Sequence, residues 1–221
     1  MNGWFEFGVA LTVFFLSHVI PVRPPVRPWL IARLGQRGYL LAYSGLSIVI
    51  LVWLFVSAAR APFVGIIPPE PMLRWVPLTV MPIVCVLAVA GLRAINPLSF
   101  GGMGQGRFDS VRPSVLAVSR HPILLAAALW AFAHLLVNGD LAHVILFSLM
   151  GGFSVIGMRL IDRRNQREMG GDWPRMAAQT GLCDLRGLTR VHVLDWGLGA
   201  ALYLLLLSAH EAVIGLSPLP M

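Results

Sequence analysis

The sequence contains no lysine and little charge of either sign. Charged residues make up 12% of the 221 residues, and hydrophobic residues make up 57%. A soluble domain usually carries about 25% charged residues, so this scarcity argues against an ordinary soluble fold. The mean hydropathy of +0.76 also argues against a soluble fold. We therefore expect an all-α, polytopic integral membrane bundle that lies within the lipid bilayer.

Cysteine is also scarce, with only two residues in the chain. Cys85 falls in an apolar run and Cys183 in a polar segment, and neither belongs to a ligand motif. We interpret them as free thiols, which excludes a disulfide framework and a cysteine-based metal site.

All 17 basic residues are arginine, against 10 acidic residues. A net charge of +7 would suggest a nucleic-acid partner in a soluble protein. Here the arginines lie between apolar runs, where lipid head groups and membrane topology explain them better. We expect no nucleic-acid partner.

The apolar runs predict a single membrane domain over residues 1–221 with about six helices. Each run is close to the length that a bilayer requires, which is about 17–25 residues. The predicted spans are about 4–20, 39–59, 76–92, 121–137, 141–161 and 193–216.

The positions of the arginines predict the orientation. Segments 21–37, 93–120 and 159–190 hold 15 of the 17 arginines, and the alternate loops hold only Arg60 and Arg74. Because positive charge is retained on the cytoplasmic side, we expect the three arginine-rich segments to lie in the cytoplasm. Both termini are then periplasmic, in a bacterial inner membrane.

Two histidines, His18 and His134, lie inside apolar spans, where ionisable residues are rare and often functional. Each could instead be a neutral histidine that hydrogen-bonds across a helix interface. Two histidines on different helices suit a haem with two axial ligands, whereas a closed zinc site needs four ligands. His121 lies nearer in depth to His18 than His134 does, and it remains a competing ligand. Beside it, Arg120 is suited to an anionic group or to capping the fourth span.

Several stretches resemble the NnrU family of integral membrane proteins, which are associated with nitric oxide and nitrite metabolism. The block from Arg120 to Asp140 is the most specific of them, and we place the family region at about 17–190. The stretches are SHVIP (17–21), LGQRGYLLAYSGLS (34–47), NPLS (96–99), RHPILLAAALWAFAHLLVNGD (120–140), DRR (162–164) and GGDW (170–173).

The resemblance extends to a plant relative, the haem b protein 15-cis-zeta-carotene isomerase. It implies His18 and His134 as haem ligands, and we expect Arg23, Arg27 and Arg120 to neutralise the haem propionates. We also expect the small residues Ala127 and Ala131 to line the gap that haem fills. The isomerase has a cysteine three residues before its second histidine, where this chain has Ala131. A ligand exchange through that cysteine is therefore not implied.

Two other functions remain open. The RHP motif and the later GGDW also resemble the isoprenylcysteine methyltransferase superfamily, which implies S-adenosylmethionine held near Arg120 and His121. The later site reads Asp162-Arg163-Arg164, without that superfamily's acidic pair. The chain could also be a non-enzymatic partner or assembly factor of a nitric oxide or nitrite reductase. Possible partners are a lipophilic small molecule and a membrane redox protein.

The predicted topology can be tested with alkaline phosphatase fusions. An enzyme fused after Pro69 or after Asp140 should be active, because both positions face the periplasm. Fusions after Gly106 or after Met169 should be silent. Activity at either of the latter positions would contradict the orientation derived from the arginines.

Overall fold

The computed structural model describes residues 3–100, 104, 108, 109 and 111–220. The fusion point Gly106 lies outside these residues. Within them, extended backbone pairs only in one isolated bridge, between Gly65 and Asp140. The remaining order is helical, which confirms the all-α fold. The helices are α1 (Gly3–Val19), α2 (Val26–Arg60), α3 (Trp75–Arg93), α4 (Pro122–Leu135), α5 (Leu141–Met169), α6 (Asp172–Ala178) and α7 (Val193–Ile214), with 3-10 turns at Pro71–Arg74, Ser114–Ala117 and Leu185–Arg190.

Each predicted span coincides with an apolar helix. Four helical stretches are long and apolar enough to cross a membrane, namely Val26–Arg60, Pro71–Arg93, Leu141–Met169 and Val193–Ile214. The other two, α1 and α4, are apolar but have 17 and 14 residues. At 1.5 Å per residue, α4 is about 21 Å long, which is shorter than the hydrocarbon core. An all-α membrane bundle fits these helices.

Two helices extend beyond their predicted spans. Helix α2 begins at Val26 rather than at residue 39, and it is interrupted at Gly35, which has φ 70° and ψ 166°. This backbone conformation is accessible essentially only to glycine. Helix α5 continues to Met169 rather than ending at residue 161. Hydropathy marks only the apolar part of a helix, whereas arginine, glutamine and glutamate prolong it.

The chain divides into two compact units. The first consists of Met1–Ile66 and Asp140–Leu146, and the second of Ile67–Gly139 and Phe147–Met221. The single membrane domain stays a prediction.

In the first unit, α1 packs against α2. Phe7 and Phe14 of α1 and Leu54 of α2 are buried. Polar contacts supplement this apolar packing, because the Trp53 indole donates to the Glu6 carboxylate over 3.2 Å. This bond joins the two helices of the first unit.

In the second unit, α3 packs against both α4 and α7. Its core includes Val86 and Leu87 of α3 and Leu125 of α4. Helix α7 approaches α3 at Gly199, where an added Cβ would lie 2.6 Å from Val86 Cγ2 and 2.7 Å from Val86 Cα. The absence of a side chain at position 199 therefore sets the spacing of these two helices.

We expect Gly199→Ala to destabilise the protein, because the new methyl group would force α7 away from Val86. Overpacking of this kind costs about 1–3 kcal/mol. The matched control is Gly197→Ala on the same helix, where an added Cβ meets nothing within 4 Å. Thermal unfolding in detergent should show a lower midpoint for Gly199→Ala and no loss for Gly197→Ala. Equal midpoints would contradict the packing of α7 on α3.

Candidate functional site

A cluster of polar side chains lies where the chain enters α4 and where α5 leaves its apolar part. We call it the polar cluster; it contains Asn96, Ser99, Arg120, His121, Asp162 and Asn165.

The ion pair between Arg120 and Asp162 is the centre of the polar cluster. Arg120 Nε donates to Asp162 Oδ1 over 2.9 Å, and its terminal nitrogen donates to Oδ2 over 2.6 Å. The two side chains are only 14% and 13% exposed. The arrangement is a two-pronged, charge-assisted contact, which is stronger and more directional than a single hydrogen bond. Trp173 covers it, with the guanidinium 5.4 Å from the ring centroid.

His121 joins the ion pair to the loop that follows α3. Its side chain is completely buried. Its Nε2 lies 2.8 Å from Asp162 Oδ1, and its Nδ1 lies 2.9 Å from Ser99 Oγ. Because the carboxylate can only accept, Nε2 is the donor, and Nδ1 of the neutral ring accepts from the serine hydroxyl. Both ring nitrogens are therefore engaged within the protein.

Two asparagines fix the backbone around these groups. Asn96 Nδ2 donates to the carbonyl of Arg120 over 3.0 Å, and Asn96 Oδ1 accepts from the Leu98 amide. Asn165 Nδ2 donates to the carbonyl of Leu98 over 2.7 Å. These bonds hold the Ser99 loop against the start of α4 and against α5.

The members of the polar cluster come from separate short motifs. NPLS provides Asn96 and Ser99, RHP provides Arg120 and His121, and DRR provides Asp162. The pairing of Asp162 with Arg120 was not predicted from the sequence, although a signal for it is present there. An ionised aspartate at the end of an apolar run requires a cation nearby, and Arg120 was predicted at the same membrane surface.

The GGDW motif packs its tryptophan, and not its aspartate, against Arg120, which the sequence did not predict. Its tryptophan, Trp173, is buried against Arg120. Its aspartate, Asp172, has a side chain that is 75% exposed, and it lies 3.9 Å from Arg175. The anionic partner of Arg120 is therefore the chain's own Asp162, and Asp172 takes no part in the polar cluster.

His18 lies in the last turn of α1, in the first compact unit. Its Nδ1 is 2.7 Å from the carbonyl oxygen of Phe14, so Nδ1 is the donor. The ring lies 4.2 Å from the Phe14 ring and 6.1 Å from the Tyr43 ring, measured between centroids. Arg23 and Arg27, which follow in the same unit, are exposed.

His134 lies in the last turn of α4, in the second unit. Its Nδ1 is 2.8 Å from the carbonyl oxygen of Trp130. Its ring lies between those of Trp130 and Phe147, at centroid distances of 5.4 and 5.6 Å. Ala127 is half-buried and Ala131 is completely buried by protein. The expectation that they line the gap for haem stays a prediction.

The three histidines differ in which ring nitrogen can bind a metal. In His18 and His134 the Nδ1–H donates to a backbone carbonyl, so the lone pair lies on Nε2 of the neutral ring. Metal-binding histidines usually have this arrangement, because the bond from Nδ1 fixes the tautomer and orients the ring. His121 differs, since both of its nitrogens bond to side chains. His18 and His134 thus each have the tautomer that is usual in metal-binding histidines, whereas His121 does not.

A metal held by several side chains is a different kind of site. Among the residues that the structure describes, no group of three or more histidine, cysteine, aspartate or glutamate side chains could hold a metal ion.

Comparison with protein families gives one match. The model of the family described as NnrU protein matches residues 6–218, which is nearly the whole chain. A comparison with curated proteins and another with solved structures found no match.

We expect Asp162→Asn to destabilise the protein strongly, because it leaves Arg120 largely buried without a counter-charge. Breaking a buried ion pair in this way costs about 3 kcal/mol or more. The matched control is Asp172→Asn, whose exposed side chain should matter little. Thermal unfolding of both variants in detergent provides the measurement. A wild-type midpoint for Asp162→Asn would contradict the ion pair.

Proposed function

The chain belongs to the NnrU family, and from that membership we propose that it is a haem b-binding integral membrane protein with His18 and His134 as axial ligands. The function we infer is redox or isomerase-type chemistry on a lipophilic substrate, linked to nitrogen-oxide metabolism. The protein lies in the bacterial inner membrane with both termini periplasmic and with its arginine-rich loops cytoplasmic.

The observation that carries the proposal is the shared hydrogen bond of the two in-span histidines. In each, Nδ1 lies within 2.8 Å of the carbonyl four residues earlier in the same helix. That bond fixes the tautomer, so the lone pair of the neutral ring lies on Nε2. A haem iron would be bound through this lone pair, as metals are by histidines of this tautomer. Haem supplies one-electron chemistry when it is bound.

His121 supports this choice of ligands by contrast. Both of its ring nitrogens are bonded, to Ser99 and to Asp162. Binding iron through either nitrogen would break one of these buried bonds and leave a polar group without its partner. His121 is therefore the weaker candidate, although its depth made it a competitor in the sequence.

Arg120 differs from Arg23 and Arg27 as a candidate for binding the haem propionates. The guanidinium of Arg120 is paired with Asp162, so we do not assign a haem propionate to it. Arg23 and Arg27 follow His18 in the same compact unit and are exposed. They are the side chains that we propose for the propionates, because arginine binds carboxylates with two parallel hydrogen bonds.

Arg120 and His121 of the RHP motif both contact Asp162. This contact favours a second candidate function, methyl transfer from S-adenosylmethionine. In that alternative Arg120 holds the cofactor carboxylate, which must compete with Asp162. Calorimetry separates the two. Micromolar binding of S-adenosylmethionine, about −8 kcal/mol, that is lost in Arg120→Ala would favour the methyltransferase. A non-enzymatic role beside a nitric oxide or nitrite reductase is compatible with haem binding, and co-purification with such a reductase would support it.

We expect His18→Ala and His134→Ala each to lose haem or to become high-spin, because each removes one axial ligand. The matched control is His143→Ala, which removes a half-buried histidine bonded to Asp140 at 2.7 Å. Haem content is measured by pyridine haemochrome after expression with ample haem. His143→Ala should retain the wild-type amount.

Two results would contradict the proposal in different ways. If the wild-type protein purifies without haem, the cofactor is wrong. If His121→Ala removes haem while His18→Ala does not, haem binds but the first ligand is wrong.

A further inference from the structure

A hydroxyl, an imidazole and a carboxylate form one hydrogen-bonded chain in the polar cluster. Ser99 Oγ lies 2.9 Å from His121 Nδ1, and His121 Nε2 lies 2.8 Å from Asp162 Oδ1. From this geometry we propose that Ser99 is the nucleophile of an acyl-transfer site for lipophilic carboxylic esters. His121 is its general base and Asp162 orients the base. The proposal goes beyond haem binding and does not depend on it.

The direction of the hydrogen bonds suits a nucleophile. Asp162 accepts the proton of His121 Nε2, so Nδ1 of the neutral ring faces the hydroxyl of Ser99 with its lone pair. A serine is a weak nucleophile alone and is activated when an adjacent base, itself oriented by a third group, accepts its proton. Here the roles of the two ring nitrogens are exchanged relative to the serine protease arrangement, which leaves the proton path unchanged.

Arg120 also binds the carboxylate of Asp162. Its two hydrogen bonds keep the Asp162 carboxylate ionised and fixed in orientation. In a triad the acidic member stays ionised throughout, and it stabilises the imidazolium that forms when the base is protonated. Arg120 is thus a positioning residue, because it acts on His121 only through Asp162.

The surroundings of Ser99 indicate the kind of substrate. His121 is completely buried, whereas Ser99 is half-buried and its neighbours Pro97 and Phe100 are exposed. The loop that carries Ser99 follows the end of α3 at Arg93 and is bonded to the start of α4. It therefore lies at the ends of apolar helices, and we infer that a lipophilic ester approaches the half-buried hydroxyl from there.

The reaction balances with water as the second substrate. Ser99 Oγ forms a bond to the acyl carbon, the ester C–O bond breaks, and the hydroxyl proton passes through His121 Nδ1 to the leaving alkoxide. Water then attacks the acyl group on Ser99 and gives its proton to His121, which returns it to the serine oxygen. The net reaction converts an ester and water into an acid and an alcohol.

The proposal is tested with an alkyl fluorophosphonate, which phosphonylates activated serines. The full-length protein in detergent is treated with the probe, and the modified peptide is identified by mass spectrometry. We expect a single adduct on Ser99. His121→Gln should slow labelling by about 10²–10⁴-fold, the usual contribution of a general base.

Two further variants separate a nucleophile from a purely structural hydroxyl. Ser99→Ala removes one oxygen and should abolish labelling; its thermal unfolding is recorded on the same sample to show that it is folded. Ser208→Ala is the matched control, because Ser208 is exposed on α7 and bonds only to the carbonyl of Leu205 among the contacts described. It should label like the wild type. Absence of labelling in the folded wild-type protein, or labelling that survives Ser99→Ala, would overturn the proposal.

Discussion

The pairing of Arg120 with Asp162 is the interaction on which the polar part of this protein depends. Hydrocarbon offers no hydrogen bonds, so each polar group near it must be satisfied within the chain. The ion pair joins residues 42 positions apart and thereby fixes the start of α4 against α5. In the part of the chain that the structure describes, every buried side-chain nitrogen and oxygen has a hydrogen-bond partner.

Because polar groups near hydrocarbon need partners within the chain, the histidines fall into two kinds according to their hydrogen bonds. His121 bonds through both ring nitrogens to side chains of the polar cluster, so its chemistry is that of a base held in place. His18 and His134 bond through Nδ1 to their own helices, and in our proposal they donate the Nε2 lone pair to the haem iron. One protein thus has two candidate sites, which use different histidines and can be tested separately.

Hydropathy was sufficient to predict the six apolar helices, because the membrane imposes both their length and their composition. It could not predict the start of α2 at Val26 or the end of α5 at Met169, since helices continue through polar residues. The sequence also identified the motifs that build the polar cluster without showing that they meet. The sequence indicates that Asp162 needs a cation at the same membrane surface, whereas its contacts with both Arg120 and His121 are seen only in the three-dimensional fold.

The absorption spectrum of the purified wild-type protein, recorded oxidised and reduced, tests the central claim that His18 and His134 are haem ligands. Because Ala131 replaces the cysteine of the isomerase, the same two imidazoles should bind the iron in both oxidation states. We therefore expect a six-coordinate, low-spin haem b spectrum before and after reduction. A colourless protein, or a spectrum that becomes high-spin in either state, would contradict it.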